Sequence, residues 1–390
     1  MPLGLYISVP FCRTKCTYCN FASGVFSRAV FEKYVTRLCA EIEQSRETSR
    51  QMGGLFDPQI DSIYLGGGTP TLLDVAQINR VFVSVRQNFD IYGQAEITVE
   101  CAPGTLSEPM VNAFVECGVN RVSLGVQSFV DQEAASVARL HQRGTVIGDI
   151  ARLRDRGIAN INVDLIAGLP HQTRESWEDS LSELIASGVP HASVYMLEVD
   201  EDSRLGRELI AGGRKYHAHS VPNEELTADL YERACERLDA AGIRQYEISN
   251  FAVPGFESAH NLKYWTRQPY LGFGVDAHSM LRNIDSAGAV RFANPESLEP
   301  YLTVADKERM TVSVEQAMEE LFFLGLRMNR GIDLRSESDL GAHAPRFLSA
   351  IDNLLEDRLL EKEGSRLRLT ARGRLLSNEV FERFIFVPTS

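Results

Sequence analysis

The sequence lacks much of what marks other protein classes. Seven cysteines stand in 390 residues, an odd count without the regular spacing of a disulfide framework. A secreted, disulfide-stapled design is therefore not expected, and a reducing cytoplasm is. Basic residues are outnumbered, 40 Lys and Arg against 53 Asp and Glu for a formal net charge of −13. This argues against nucleic acid or an anionic membrane as the main partner. No apolar run approaches a membrane span, and Met1-Pro2-Leu3-Gly4-Leu5 lacks the charged start of a secretory signal. Long low-complexity segments and repeats beyond βα units are absent as well. What is present, 44% apolar and 24% charged residues, is ordinary globular composition, in a chain long enough for a large α/β domain and a smaller second one.

Three of the cysteines are close together, in Val9-Pro10-Phe11-Cys12-Arg13-Thr14-Lys15-Cys16-Thr17-Tyr18-Cys19-Asn20-Phe21. Thiolates at this C-x3-C-x2-C spacing can hold three irons of a [4Fe–4S] cluster, for which cysteine sulfur is the usual ligand. With no fourth cysteine nearby, one iron keeps an open position, as a substrate-binding metal site requires. Zinc or no metal at all are the plain alternatives. Zinc prefers four ligands in two pairs, and the second pair is missing. A disulfide would leave an odd thiol. Cys39, Cys101, Cys117 and Cys235 read as small buried or half-buried residues.

Short β-branched runs alternate with longer helical patterns. Strands are expected at Leu5–Val9, Ile60–Leu65, Glu96–Glu100, Asn120–Gly125, Ile161–Ile166 and Ala192–Leu197. Helices are expected near 28–51, 75–88, 108–117, 146–156, 174–187 and 224–241. Such units imply a parallel sheet with right-handed crossovers, and chemistry at the C-terminal strand ends. The unusual residues fall there: the cysteine loop after the first strand, Gly66-Gly67-Gly68-Thr69-Pro70 after the second, Glu100 closing the third. The stretch from about 249 to 297 is less regular. From about 311 the pattern becomes helix, helix and a short strand pair around Gly364-Ser365, like a small winged-helix domain. Its Arg366, Arg368, Arg372 and Arg374 make only a modest basic wing, and the acidic chain disfavours DNA binding.

Three glycines let a backbone approach a ligand and present its amides; a tight turn is the simpler alternative. Glu100 and Gln127 are strand-end polar groups suited to a sugar diol, or simply solvated. Arg139 sits in the same region, and Asp164 lies inside an apolar strand, where a charge must be paired or functional. Glu198 and Asp200 lie near the same end without an assigned role, and His217 and His219 read as solvated surface.

Tyr6 to Phe21, Gly66 to Pro70, Val126-Gln127-Ser128-Phe129, Asp164 to Pro170 and the C-terminal helical pattern together resemble the coproporphyrinogen oxidase-like branch of the radical S-adenosylmethionine (SAM) superfamily. The likeness covers nearly the whole chain. It implies an α/β fold: a partial (β/α)6 barrel over 1–250, an irregular connection over 251–310, and a small winged-helix-like α+β domain over 311–390. By position it implies Cys12, Cys16 and Cys19 on a [4Fe–4S] cluster, with SAM chelating the open iron. Tyr6, Tyr18, Gly67, Gly68, Thr69, Glu100, Gln127, Arg139 and Asp164 would line the SAM region. In this family the C-terminal domain is expected over the barrel mouth.

The branch contains oxygen-independent coproporphyrinogen III oxidases and HemW-type haem chaperones. The oxidases carry a further cysteine where this chain has Phe21, and an N-terminal extension not expected here. His260-Asn261-Leu262-Lys263-Tyr264-Trp265 matches the H-N-x-x-Y-W motif of the chaperone type. The resemblance thus implies His260 on haem iron, with Asn261, Tyr264 and Trp265 beside the porphyrin. A neutral imidazole is a common haem ligand, and these rings offer flat apolar surface. A core histidine with aromatic packing is the plain alternative, and His278 is a second candidate. The implied partners are haem, an acceptor haem protein and an electron donor such as flavodoxin or ferredoxin. Contact with a membrane protein, monomer or dimer, and coproporphyrinogen III dehydrogenase-type activity all stay open.

Overall fold

The computed structural model describes residues 1–284, 288–303, 307–334 and 344–386. Strand β1 (Leu3–Val9) is followed by the short β2 (Gly54–Leu55), then β3 (Gln59–Gly67), β4 (Asp90–Cys101), β5 (Arg121–Gln127), β6 (Asn160–Ala167) and β7 (His191–Met196). Leaving β2 aside, these run parallel side by side in the order β1-β3-β4-β5-β6-β7. Helices Arg28–Glu43, Val75–Asn88, Glu108–Glu116, Arg143–Asp155, Arg174–Ser187 and Glu224–Ala240 follow the six strands in turn. The single helix expected over 28–51 is two, meeting at Gln44.

The sheet then continues at both edges. At one, β8 (Arg244–Glu247) and β9 (Asn250–Ala252) form a hairpin antiparallel to β7. At the other, β10 (Tyr270–Phe273) pairs parallel to β1, and β11 (His278–Asn283), β12 (Ala289–Ala293) and β13 (Glu308–Val312) follow antiparallel. The barrel is therefore partial, since β1 and β7 are flanked by β10 and β9 rather than by each other. The 251–310 stretch is not the irregular connection expected from sequence. Its strands are short and the first contains Gly272, so they carry little β periodicity in the sequence.

Alternation along each parallel strand separates two environments. Leu5, Ile7, Ile63, Leu65, Val99, Val122, Leu124, Val163 and Leu165 are completely buried and join one core with the surrounding helices. The other face turns polar groups into the barrel. Ser123 and Ser193 hydroxyls meet Asn162 there, and Asn162 Oδ1 lies 2.6 Å from His191 Nδ1.

The C-terminal part has its own three-stranded sheet of β14 (Ile332–Asp333), β15 (Leu360–Glu363) and β16 (Arg366–Leu369) in the order β14-β16-β15. Helices Val314–Gly325 and Ala344–Glu356 pack on it through stacked Phe322, Phe347 and Phe384 rings. Its anchors do not match the expected position over the barrel mouth. Arg327 reaches Glu247 and Trp265, Asn329 donates to the Gln245 carbonyl, and Glu320 pairs with Arg267 and Arg291. Those partners lie on the β8–β9 edge, around helix Ala259–Trp265 and on β12, so the domain braces the flank of the barrel.

Candidate cofactor site at the strand ends

The loop after β1 brings Cys12, Cys16 and Cys19 to the C-terminal end of the sheet, all three free and half-buried. Its backbone is fixed on two sides. Cys12 N–H donates to the Gly24 carbonyl at 2.8 Å, and Thr17 N–H to the Val137 carbonyl at 3.3 Å. Burial raises the pKa of the Cys12 and Cys19 thiols, and neighbouring cysteines raise them further.

The glycine segment lies against this loop. Gly68 N–H donates to the Val9 carbonyl at 2.9 Å and Thr69 N–H to the Phe11 carbonyl at 2.7 Å. Side chains do not fit here: a Cβ on Gly68 would sit 2.6 Å from the Phe11 oxygen. Gly67 takes φ +100, a conformation that favours glycine. Its N–H donates to Glu100 Oε2 at 3.0 Å, while Glu100 Oε1 accepts from the Tyr64 hydroxyl at 2.8 Å. Burial pushes Glu100 up to about 7, partly countered by these bonds. Tyr6 stacks beside Tyr64, ring centres 6.2 Å apart.

Arg139 donates to the Gly125 carbonyl, and a Cβ at Gly125 would lie 2.3 Å from the guanidinium. Burial disfavours the Arg139 charge, yet Tyr18, Cys16, Asp164 and Cys12 hold its pKa above the usual value. Its Nε–H is buried without a partner. Asp164 accepts from Asn162 Nδ2 at 2.7 Å and Ser123 Oγ at 3.3 Å, with burial raising its pKa. Gln127 holds φ +71 at the end of β5, an uncommon backbone for a residue with a Cβ. The expected residues Tyr6, Tyr18, Gly67, Gly68, Thr69, Glu100, Gln127, Arg139 and Asp164 thus share one end of the barrel with the cysteines.

Four expected residues are elsewhere. Helix Ala259–Trp265 seals the opposite end, its His260 N–H donating to Glu96 Oε1 at 3.1 Å. The His260 side chain is buried, with Nδ1 3.0 Å from Ser62 Oγ and Nε2 2.8 Å from the Tyr264 hydroxyl. Burial takes its pKa from 6.5 to about 3, so the ring is neutral. Both ring nitrogens are thus engaged by hydroxyl groups inside the barrel. Tyr264 packs edge-on against Tyr270, Trp265 lies under the Arg327 guanidinium at 4.4 Å, and Asn261 takes the Ser258 N-cap bond. These three belong to the plug and the C-terminal interface. His278 is exposed on β11, 3.7 Å from an Asp276 oxygen.

The sequence reading missed a cover over the cysteine end. Residues 198–221, which include helix Arg204–Ile210, are tied to the cysteine loop: Leu205 N–H donates to the Thr17 carbonyl at 2.8 Å, and Arg204 to the Lys15 carbonyl. Asp200 accepts from Asn20, which gives it a structural role. Tyr64, Asn162 and Ser193 were also overlooked, although polar residues alternating within apolar strands were the signal. No described group of three or more His, Cys, Asp or Glu side chains converges on a single-ion site. A cubane cluster spreads its thiolates over separate irons, so three cysteines on one loop suit it better than a lone ion.

The family model for the radical SAM superfamily matches residues 6–184, and the one for the HemN C-terminal domain matches 312–376. A heme chaperone HemW of Bacillus subtilis is 33% identical, covering 97% of this chain and 98% of its own length. A HemW of Lactococcus lactis is 31% identical, over 98% and 97%. Among solved structures, the coproporphyrinogen III oxidase HemN of Escherichia coli superposes with a TM-score of 0.80 at 23% identity, covering 98% of this chain and 90% of that one. That likeness establishes the shared fold. The chain belongs to the radical SAM superfamily, in the family of the HemW proteins.

Proposed function

We propose that the protein is a haem chaperone that binds haem and passes it to an acceptor haem protein, with a [4Fe–4S] cluster and SAM at the strand ends. The observation that carries this reading is end-to-end similarity to proteins named heme chaperone HemW. Phe21, exposed in place of the oxidases' extra cysteine, supports it. Free thiols throughout suit a reducing cytoplasm, and no described helix is long and apolar enough to cross a membrane.

The residues present fit both cofactors. Cys12, Cys16 and Cys19 would supply thiolates, and the Arg139 charge would stabilise them. Gly67 and Gly68 leave backbone open to the amino acid end of SAM. Glu100, held by Tyr64 and Gly67 and poised near neutrality, would hydrogen-bond the ribose. Gln127 and Asp164 would complete that polar wall beside Tyr6 and Tyr18. When bound, the cluster would supply an electron-transfer centre with one open iron, reduced by a donor of the flavodoxin or ferredoxin class.

The completeness of this pocket favours a second reading, oxygen-independent coproporphyrinogen III oxidation. The test is an anaerobic haem titration of the cluster-reconstituted protein, followed at the Soret band, beside an assay for carbon dioxide release from coproporphyrinogen III. One haem per chain without carbon dioxide supports the chaperone. Carbon dioxide release without stoichiometric haem binding overturns it.

A further inference from the structure

We propose that His191 and Tyr246 are positioning residues for the strand-end site: through Asn162 they tie Asp164 to helix Ala259–Trp265, so that SAM held at Asp164 and the seating of that helix stabilise each other. This rests on the SAM site proposed above. Two residues on one face of β6 begin the line. Asn162 Nδ2 donates to Asp164 Oδ1 at 2.7 Å, and Asn162 Oδ1 lies 2.6 Å from His191 Nδ1. His191 opens β7 directly beside Asn162 and is completely buried. Its Nε2 lies 3.0 Å from the Tyr246 hydroxyl on β8, which accepts from the Ser258 N–H at 3.2 Å. Ser258 is the N-cap of helix Ala259–Trp265, its Oγ accepting from the Asn261 N–H at 3.3 Å.

Every proton on this line has one place. As a carboxylate, Asp164 admits only the donor end of the Asn162 amide, so Asn162 Oδ1 turns to His191. His191 Nδ1 must then carry the proton, since an amide oxygen donates nothing. Burial, with the Arg121 charge nearby, holds the His191 pKa well below 6.5 and the ring neutral. Nε2 is therefore bare and accepts the Tyr246 O–H, which leaves the Tyr246 oxygen to accept from Ser258. All four donors point from the helix toward the cofactor end, and buried bonds aligned in this way polarise one another. With both nitrogens spent, His191 positions and does not react.

Two features distinguish this line from ordinary core packing. It ends on a carboxylate with capacity left: Asp164 Oδ1 takes the Asn162 bond, while Oδ2 receives only Ser123 Oγ at 3.3 Å. The other strand-end carboxylate reaches the same helix by a second route. Glu100 Oε1 accepts from the Tyr64 hydroxyl, and the Tyr64 ring lies 5.3 Å from the His260 ring. Both carboxylates thus bear on the start of one helix. A ligand that fixes Asp164 would fix Ser258, and by linkage a seated helix would favour the ligand by the same factor.

The experiment uses the cluster-reconstituted full chain under anaerobic conditions. SAM affinity is measured by calorimetry, and deuterium uptake by the segment 258–265 is followed with and without saturating SAM. The variants are Tyr246→Phe, His191→Leu, His191→Asn and Tyr231→Phe. Phenylalanine keeps the Tyr246 ring and removes only the link, whereas asparagine keeps a donor near the Nδ1 position. Tyr231→Phe removes a buried hydroxyl off the line, one that donates to the Ile248 carbonyl, and controls for lost stability. In wild type, SAM should slow exchange over 258–265. Tyr246→Phe should weaken SAM binding about two- to thirtyfold and remove most of that slowing. His191→Leu should weaken binding at least as much, His191→Asn should restore part of the loss, and Tyr231→Phe should change neither readout. Wild-type affinity and slowing in Tyr246→Phe overturn the inference, as does an equal loss in Tyr231→Phe. SAM binding to wild type without any slowing overturns it too. His191→Asn no better than His191→Leu overturns the role of His191. A wild type that binds no SAM overturns the proposed SAM site and this inference together.

Discussion

The two ends of the barrel solve opposite problems with similar residues. At the strand C-termini, thiols, glycines and charges are half-exposed: Glu100 is lifted to about 7 and Arg139 keeps a donor unpaired. At the other end, helix Ala259–Trp265 presses a histidine, tyrosine and lysine into the sheet with their side-chain polar atoms engaged, while Trp265 Nε1 on the same helix is buried without a partner. Lys263, buried beneath Gly4, donates to Asp61 and the Pro2 carbonyl. A polar group inside a fold therefore indicates chemistry only when its hydrogen-bonding capacity is unspent. His260 and Glu100 are both shifted by burial and each meets two partners, but His260 is fully enclosed whereas Glu100 is half-buried and faces a mouth lined with glycine backbone.

The largest expected effect lies at the open end. Cys16→Ala should abolish the reconstituted cluster, taking bound iron from about four per chain to near zero while circular dichroism is unchanged. Iron retained at the wild-type level would remove the cysteines from the site. At the sealed end, His260→Ala should cost about 2–5 kcal/mol, through a cavity and the stranded hydroxyls of Ser62 and Tyr264, measured by denaturant unfolding. Haem affinity unchanged by it would remove His260 from the iron, and a loss would place it there.

The pH response separates the ends further. His260 titrates near 6.5 when unfolded and near 3 in the fold. Its contribution is complete above about 6.5 and is lost as pH falls toward 3, because the unfolded chain takes up the proton first. Glu100 has the opposite sign. Its folded pKa of about 7 exceeds the ordinary 4.5, so its contribution is present below 4.5 and is lost as pH rises through 7. Glu100→Gln should therefore gain stability relative to wild type between pH 5 and 8 in paired melts, while weakening SAM binding. A difference that stays flat with pH would show that the carboxyl is not buried as described. The smallest effect belongs to the braced flank. Arg327→Ala should cost about 1–2 kcal/mol of thermal stability through loss of its stacking on Trp265 and its pairing with Glu247.

Much of the strand-end half was legible because it is encoded locally. Each βα unit announces itself through an apolar run followed by a helical period, and the cysteines and glycines sit at the joints. At the sealed end the motif His260–Trp265 names residue types but says nothing about their partners Ser62, on β3, and Tyr264, which only the fold brings to the two ring nitrogens. The antiparallel extension was missed because β10 to β13 are short and partly exposed.

The most direct test of the account is haem transfer. The cluster-reconstituted chain, loaded with one haem, would be mixed anaerobically with an apo haem protein and the Soret band followed as haem moves between them. The account predicts transfer to the acceptor and no carbon dioxide from coproporphyrinogen III supplied in parallel. Carbon dioxide release with no transferred haem would contradict it.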